Sequence, residues 1–279
     1  NKVRKPKFKP DITDASYVEN EEQEFYRDIL NNLNRNKLFL QTANIENNTL
    51  EVSISSPDIV NPLISSLRAA KIAKIVADNN NYKFDYIDIQ HMDTGVLLSS
   101  ITYKNKIIES FKDTPHELTK LNIKIRPSDP YAYKNHKFKP KVIFPQYFYS
   151  FNPDIRTHVG SPEKFLYSGL GVNFNGEIQF SRNLVMAAII GQSFTDNFDE
   201  KTSTPNSLLP HVRTEIVDYL RASDTYLTTL KLEYFWSPKK NIFAKLSTGY
   251  FETMFGGIGG EILYKPFNSN LSAGYEIYK

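Results

Sequence analysis

The run Leu166-Tyr-Ser-Gly-Leu-Gly-Val-Asn-Phe-Asn-Gly-Glu-Ile-Gln-Phe180 splits cleanly when every second residue is taken. Tyr167, Gly169, Gly171, Asn173, Asn175, Glu177 and Gln179 form one set, and Leu166, Leu170, Val172, Phe174, Ile178 and Phe180 fall in the other. Successive strand side chains point to opposite faces, so the run predicts a strand with one apolar and one polar side. The alternation returns downstream. Leu230, Leu232, Tyr234 and Trp236 oppose Thr229, Lys231 and Glu233; Ile242, Ala244, Leu246 and Tyr250 oppose Lys245 and Ser247. Ile258, Ile262 and Tyr264 then oppose Glu261 and Lys265, while Leu271, Ala273, Tyr275 and Ile277 oppose Ser272 and Glu276. Arg182–Phe194 is apolar on both faces at its centre, and there the rule weakens.

Several of these segments run 10–14 residues, against ~5–6 for an ordinary soluble strand. Tilted strands of a membrane barrel need ~9–11 residues, an apolar outer face, a polar lumen and aromatic girdles. Phe165, Phe180, Phe194, Tyr226, Phe235, Trp236, Phe251 and Phe267 sit at segment ends and suit such girdles. The outer face is expected from the even-numbered members of residues 166–180, 226–236 and 242–250. A soluble β-sandwich competes with this reading, because alternation alone serves both.

Composition narrows the field. The 279 residues are 40% apolar and 23% charged, with 34 basic against 31 acidic side chains. So even a balance does not point to nucleic acid. No cysteine is present, which excludes a disulfide framework, a zinc-thiolate cage and a thiol nucleophile. Tyr, Phe and Trp number 17, 19 and 1; thirteen of these aromatics precede Pro140 and twenty-four follow it.

The first half reads differently. Residues 1–19 open with Asn1-Lys-Val-Arg-Lys-Pro-Lys-Phe-Lys-Pro10, a basic, proline-broken linker. Within residues 20–126, Phe25, Ile29 and Leu33 with Tyr26 and Leu30 draw an apolar helical stripe. Lys37–Ala43 and Thr49–Ser55 read as strands, Asn61-Pro62 as the start of a helix reaching Asp78, and Tyr82–Gln90, Gly95–Tyr103 and Leu121–Ile125 as further strands. The order predicts a small α+β domain of helices on an antiparallel sheet. Residues 127–139 form a second linker, and residues 140–279 supply about seven strands of an outer-membrane type, antiparallel barrel. Both ends read as cuts, the last inside an unfinished alternating pattern.

Leu209-Pro-His-Val-Arg-Thr-Glu-Ile-Val-Asp-Tyr-Leu220, then Thr225–Leu232, then the run from Gly249 through Glu252-Thr-Met-Phe-Gly-Gly-Ile-Gly-Gly-Glu261 to Pro266-Phe267 resemble the YjbH family. The resemblance implies an outer-membrane β-barrel protein of exopolysaccharide and capsule production, with an α/β domain in the periplasm beside barrel-forming segments. It also implies an extracellular polysaccharide as partner, outer-membrane lipid around the barrel, and other secretion components as docking partners. No catalytic residue set comes with it. A non-catalytic role in polysaccharide export or assembly is the expectation; the alternatives are a glycan-modifying enzyme and a structural docking protein of a secretion machinery.

Candidate site residues are those of the polar faces. Asn173, Glu177, Lys231, Glu233, Lys245, Glu261 and Lys265 would face the lumen and the glycan. The five histidines show no metal-ligand spacing, so no metal or cofactor is expected. His211 with Arg213, Glu215 and Asp218 forms a polar cluster that loop solvation explains equally well. Gly256-Gly-Ile-Gly-Gly-Glu261 lacks the strand-to-helix setting of a phosphate loop, so close strand packing is the better account. Glu252 and Glu261 could be offered as a glycosidase pair.

Overall fold

The computed structural model describes residues 21–59, 61–110, 124–127, 129–159, 163–201, 215–266 and 269–279. The basic opening linker, His116, His211 and Arg213 lie outside the described residues. Two sheets make up the fold. A five-stranded sheet runs β1-β2-β3-β4-β5, and a seven-stranded sheet runs β12-β11-β10-β9-β8-β7-β6.

The five-stranded sheet holds β1 (Phe39–Glu46), β2 (Thr49–Ser55), β3 (Tyr86–Asp93), β4 (Val96–Lys104) and β5 (Lys124–Arg126), with α1 (Glu21–Arg35) and α2 (Pro62–Asn79) packed on it. Phe25, Tyr26, Ile29 and Leu33 on α1 are fully buried, four positions of one helical stripe. They meet Leu67, Ala70 and Ala73 of α2 and Leu50, Val52, Ile87 and Ile89 of the sheet in a single core. Asn61 caps α2, its Oδ1 accepting from Leu63 N at 3.0 Å and Ile64 N at 3.4 Å, with Pro62 at the first helical position. The sheet is not wholly antiparallel. β2 and β3 are parallel, because α2 carries the chain back to the end from which β2 started.

The buried carboxylate of this unit is satisfied by neighbouring strands. Asp88 accepts from Ser100 Oγ at 2.7 Å and Thr102 Oγ1 at 2.5 Å, and pairs with Arg126 Nη2 at 3.0 Å. The stretch leading out of the unit is fastened rather than loose. His136 Nδ1 lies 2.8 Å from Thr42 Oγ1, and Phe138 exchanges both backbone hydrogen bonds with Ala43.

The seven-stranded sheet is an antiparallel meander of β6 (Gln146–Val159), β7 (Leu166–Gln179), β8 (Leu184–Asp196), β9 (Thr225–Lys239), β10 (Ile242–Glu252), β11 (Phe255–Tyr264) and β12 (Ala273–Tyr278). Every sequential neighbour pairs. β6 and β12 are its edges, so the described sheet is open and not a closed barrel. β6 stays in register with β7 along its whole length, from Gln146 opposite Gln179 to Val159 opposite Leu166. Among the described residues no helix is long and apolar enough to cross a membrane.

The two units touch at one end of the meander. Asn183 Nδ2, in the β7–β8 turn, donates to Thr94 O at 3.2 Å and to Phe235 O at 2.8 Å. Tyr131 OH donates to Pro238 O at 3.3 Å. Gly95 beside Thr94 has φ +72°, and a Cβ there would lie 2.5 Å from the Asn183 amide. Its lack of a side chain serves both the turn and the close approach.

His91 on β3 is buried and its Nε2 has no hydrogen-bond partner among the described residues. Burial lowers its pKa from the ordinary imidazole value, partly opposed by a backbone bond at Pro62. The folded state therefore favours neutral imidazole, while the unfolded chain takes up a proton near pH ~6.5. This contribution is fully present above that value and is lost as pH falls through the folded pKa. Urea midpoints should drop between pH 7.5 and 5.5, and His91→Gln should flatten the drop. An unchanged slope in the variant would remove His91 as the cause.

Candidate functional site

The seven-stranded sheet distributes exposure opposite to a soluble core. Its apolar face lies open: Phe151 is 65% exposed, Ile155 69%, Leu246 52%, Ile258 65% and Tyr275 68%. Glu233 and Ser247, on the polar face, are 8% and 4% exposed. The register shows that each face is continuous. Phe151 opposes Phe174, Leu246 opposes both Tyr234 and Gly260, and Ile262 opposes Tyr275, all on the apolar side.

The polar side carries a charge ladder across three strands. Lys231 Nζ pairs with Glu233 at 3.1 Å, Lys245 Nζ pairs with Glu233 at 3.4 Å, and Lys245 reaches Glu261 at 2.7 Å. Ser247 Oγ adds a bond to Glu233 at 3.4 Å, and Tyr278 OH donates to Glu261. Alternating sign is what lets these groups share a partly covered surface, since each charge is matched by a neighbour. Glu177 lies on the same face, within electrostatic reach of Glu233 and of Asp93 from β3. Asn173 opposes Asn152, and its Oδ1 is buried with no donor among the described residues.

Of the seven candidate residues, Lys231, Glu233, Lys245 and Glu261 are brought into direct contact, and Asn173 and Glu177 share their face. Lys265 does not join them. It lies just past the end of β11 and is exposed, its backbone N–H bonded to Asn241 O at 2.9 Å. The strand ends one position too early for its parity to matter.

Parity also fails at the start of β9. A bulge between Ile189 and Ile190 sets Tyr226 opposite Gly191 and Leu227 opposite Ile190. Tyr226 therefore lies on the polar side, its ring over Gly191, where a Cβ would sit 2.1 Å from the ring. Tyr278 covers Gly259 in the same way. The glycine-rich run 256–260 is thus strand, and its open surface admits a tyrosine from the neighbouring strand.

Sequence reasoning missed a second cluster, where Arg156 is the hub. It pairs with Asp196 at 3.2 Å, donates to Leu220 O at 3.2 Å, and lies 4.2 Å from the Tyr226 ring centre and 5.2 Å from that of Phe198. Tyr226 OH donates to Asp154. Phe198 and Tyr167 are fully buried with Ile216 and Leu220 of α3 (Ile216–Arg221) against them. The segments flanking residues 202–214 thereby cap the polar face at the end away from the α+β unit. Glu215 and Asp218 belong to this cap, Asp218 pairing with Arg221 at 3.3 Å. No local spacing signals a hub whose partners lie 40 and 64 residues away.

The proposed glycosidase pair is not assembled. On β10, Glu252 opposes Phe255 and Glu261 opposes Lys245. Seven residues along a strand separate the two carboxyl groups by roughly 23 Å, against ~5–9.5 Å for two carboxylates flanking a glycosidic bond. No group of metal-ligating side chains is found among the described residues.

A long-stranded antiparallel sheet with an open apolar face and a charge-paired polar face, joined to an α+β unit, defines the class. The YjbH family model, described as "Exopolysaccharide biosynthesis protein YbjH", matches residues 2–278, and the chain belongs to this family. It is 30% identical over 164 residues to a protein of Escherichia coli strain K12 named "Uncharacterized lipoprotein YjbH". That alignment covers 58% of this chain and 23% of the relative, so the chain spans about a quarter of the relative's length. No solved structure matches it.

Glu233 holds two lysines at once. Glu233→Gln should cost about 1–3 kcal/mol through the charges left unmatched, whereas Lys265→Gln should stay within ~0.5 kcal/mol. Denaturation midpoints of the chain in detergent measure both. Equal shifts would mean that the ladder contributes nothing beyond surface charge.

Proposed function

We propose that this chain forms one wall of an outer-membrane β-barrel that assists export or assembly of an extracellular polysaccharide without catalysing a reaction on it. The inverted burial of the seven-stranded sheet carries the reading. Continuous exposed Tyr, Phe, Leu and Ile suit lipid, while the paired Lys–Glu ladder suits a water-filled lumen. Strands of 13–15 residues in β6 to β9 are long enough to cross with tilt. Family membership and the relative's name as a lipoprotein support an envelope setting and a polysaccharide partner.

The polar face offers amides, hydroxyls and mixed charge to a hydrated sugar chain. Asn173, opposite Asn152, and the ladder groups stand on this face. The α+β unit lies at the end bearing the turns 180–183 and 240–241, which becomes the periplasmic end; the 197–224 connection lies at the other. The unit's exposed surface would dock other secretion components. Lipid tolerates no unpaired strand edge, so the reading requires further strands beside β6 and β12.

Three outcomes test it. Leu230→Arg should block membrane assembly, since a charge at mid-bilayer costs ~2–4 kcal/mol, Leu246→Arg, level with Tyr234, should weaken it less, and Lys231→Ala should assemble. Equal damage from both kinds of change would indicate a soluble two-sided core. In intact cells, an impermeant thiol reagent should label Ser223→Cys and miss Lys239→Cys; the reverse pattern would invert the topology. Glu252→Ala with Glu261→Ala should lower export while leaving the glycan chains intact, whereas loss of glycan cleavage by pure protein would establish an enzyme instead.

A further inference from the structure

Where the apolar face of β9 ends, a cavity of about 570 Å³ opens between the two units. Tyr131, Tyr133 and Lys134 line it from the α+β side, and Asn183, Tyr234 and Trp236 from the sheet. Tyr234 and Trp236 stack at 5.7 Å between ring centres, and Lys134 Nζ sits 4.4 Å from the centre of the Tyr131 ring. Aromatic rings with an amide and an ammonium form a boundary-type lining, apolar in body and polar at the edge.

Basic residues outnumber acidic ones around this cavity, whose lining is flanked by the carboxylates Asp93 and Asp129. From Pro130 to Pro153 the chain carries Lys134, Lys137, Lys139 and Lys141 and no carboxylate. The other links at the same end add Arg182, Lys239, Lys240 and Lys265, again with no acidic residue in 180–183, 237–241 or 265–272. Lys137 is matched by Glu22 at 3.3 Å. Arg182 is half-buried beside Tyr133 and has no carboxylate partner among the described residues. Burial pulls its guanidinium below the ordinary value, partly opposed by the neighbouring Tyr133. The opposite end is different: residues 197–224 hold Asp199, Glu200, Glu215, Asp218 and Asp224 against Lys201, Arg213 and Arg221.

We propose that this crevice and its basic rim bind the phosphate headgroup of an anionic phospholipid, seating the α+β unit against the membrane surface. The inference rests on the barrel reading, which puts Tyr234 and Trp236 at headgroup depth. Lys134 in the lining and Arg182, beside the lining residues Tyr133 and Asn183, meet the phosphate, the tyrosine and tryptophan edges take its glycerol and ester region, and Lys139 and Lys141 hold the neighbouring leaflet by charge. An aromatic crevice alone would take a sugar as readily. A guanidinium with no carboxylate partner among the described residues, and a rim on which Lys134, Lys139, Lys141, Lys239 and Lys240 outnumber Asp93 and Asp129, favour an anion, and the adjoining apolar face favours one that carries acyl chains.

Trp236 is the only tryptophan of the chain, so its fluorescence reports the site directly. The chain in mixed micelles is titrated with phosphatidylglycerol or phosphatidylcholine brominated near the ester, and a bimane label on Leu246→Cys reports lipid contact of the apolar face. Brominated phosphatidylglycerol should quench Trp236 several-fold more strongly at equal mole fraction, saturably and with loss in high salt. Lys134→Gln and Arg182→Gln should each weaken that preference about fivefold, with quenching by phosphatidylcholine unchanged as the sign of an intact fold. Equal quenching by the two lipids, with the Leu246 label quenched by both, overturns the headgroup site and leaves the barrel standing. Displacement of phosphatidylglycerol by millimolar glycerol 1-phosphate would make it a free-phosphate site and also overturn the proposal. An unquenched label at Leu246 removes the barrel reading and this inference together.

Discussion

Each strand from Gln146 to Tyr278 must serve two environments at once, because adjacent side chains point to opposite faces. The rest of the seven-stranded sheet follows from how that constraint is met. Apolar side chains are left exposed as a continuous surface, and charged ones are gathered where they can match each other. Glu233 stands between Lys231 and Lys245, and Lys245 between Glu233 and Glu261. Removing any inner member strands its neighbours, so the ladder couples β9, β10 and β11 by charge in addition to their backbone bonds. The tyrosines over Gly191 and Gly259 work to the same end. Each covers backbone that would otherwise lie bare and delivers its hydroxyl to a carboxylate, Asp154 or Glu261.

Strict alternation was legible from the residues alone, and so were the facing of Leu230, Tyr234 and Leu246 and the Asn61 cap of α2. These depend on periods of two or 3.6 and on one local side-chain bond. What escaped the sequence depends on partners distant in the chain. The bulge that turns Tyr226 inward is a property of the β8–β9 register, and nothing within Thr225–Leu227 announces it. The parallel pairing of β2 with β3 comes from where α2 delivers the chain, which periodicity cannot report. Lys265 kept the parity of a lumen residue but fell beyond the last hydrogen-bonded pair of β10 and β11. Four of the site residues were found in contact because same-face neighbours on adjacent strands approach closely. The Arg156 hub was missed because it joins β6, β8 and the cap before β9 at once.

The two ends of the meander are built differently, and the difference is physical before it is functional. At one end the turns 180–183 and 240–241 are tight, basic and in contact with the α+β unit through Asn183 and Pro238. At the other, Phe198, Ile216 and Leu220 fold over Tyr167 and are fixed by Arg156, covering part of the polar face. Here Arg156 is buried between two rings and a carboxylate, where its planar fork holds several elements together. A sugar chain passing along the polar face would have to pass this cap, whereas the end beside the α+β unit is lined by Glu177 and Asp93.

The docking of the α+β unit ties these features together. Its contact with the sheet is narrow: the Thr94-Gly95 turn on Asn183, and the Tyr131 hydroxyl on Pro238. Interfaces this small between units of one chain ordinarily leave them free to move. The fastening of Phe138 to Ala43 shortens the free connection to the few residues before Gln146, so the unit cannot swing far from the basic end. A surface that holds Lys134, Lys139 and Lys141 would complete the restraint that the protein contacts begin. With such a surface present, the orientation of the α+β unit would depend on it as much as on the chain itself.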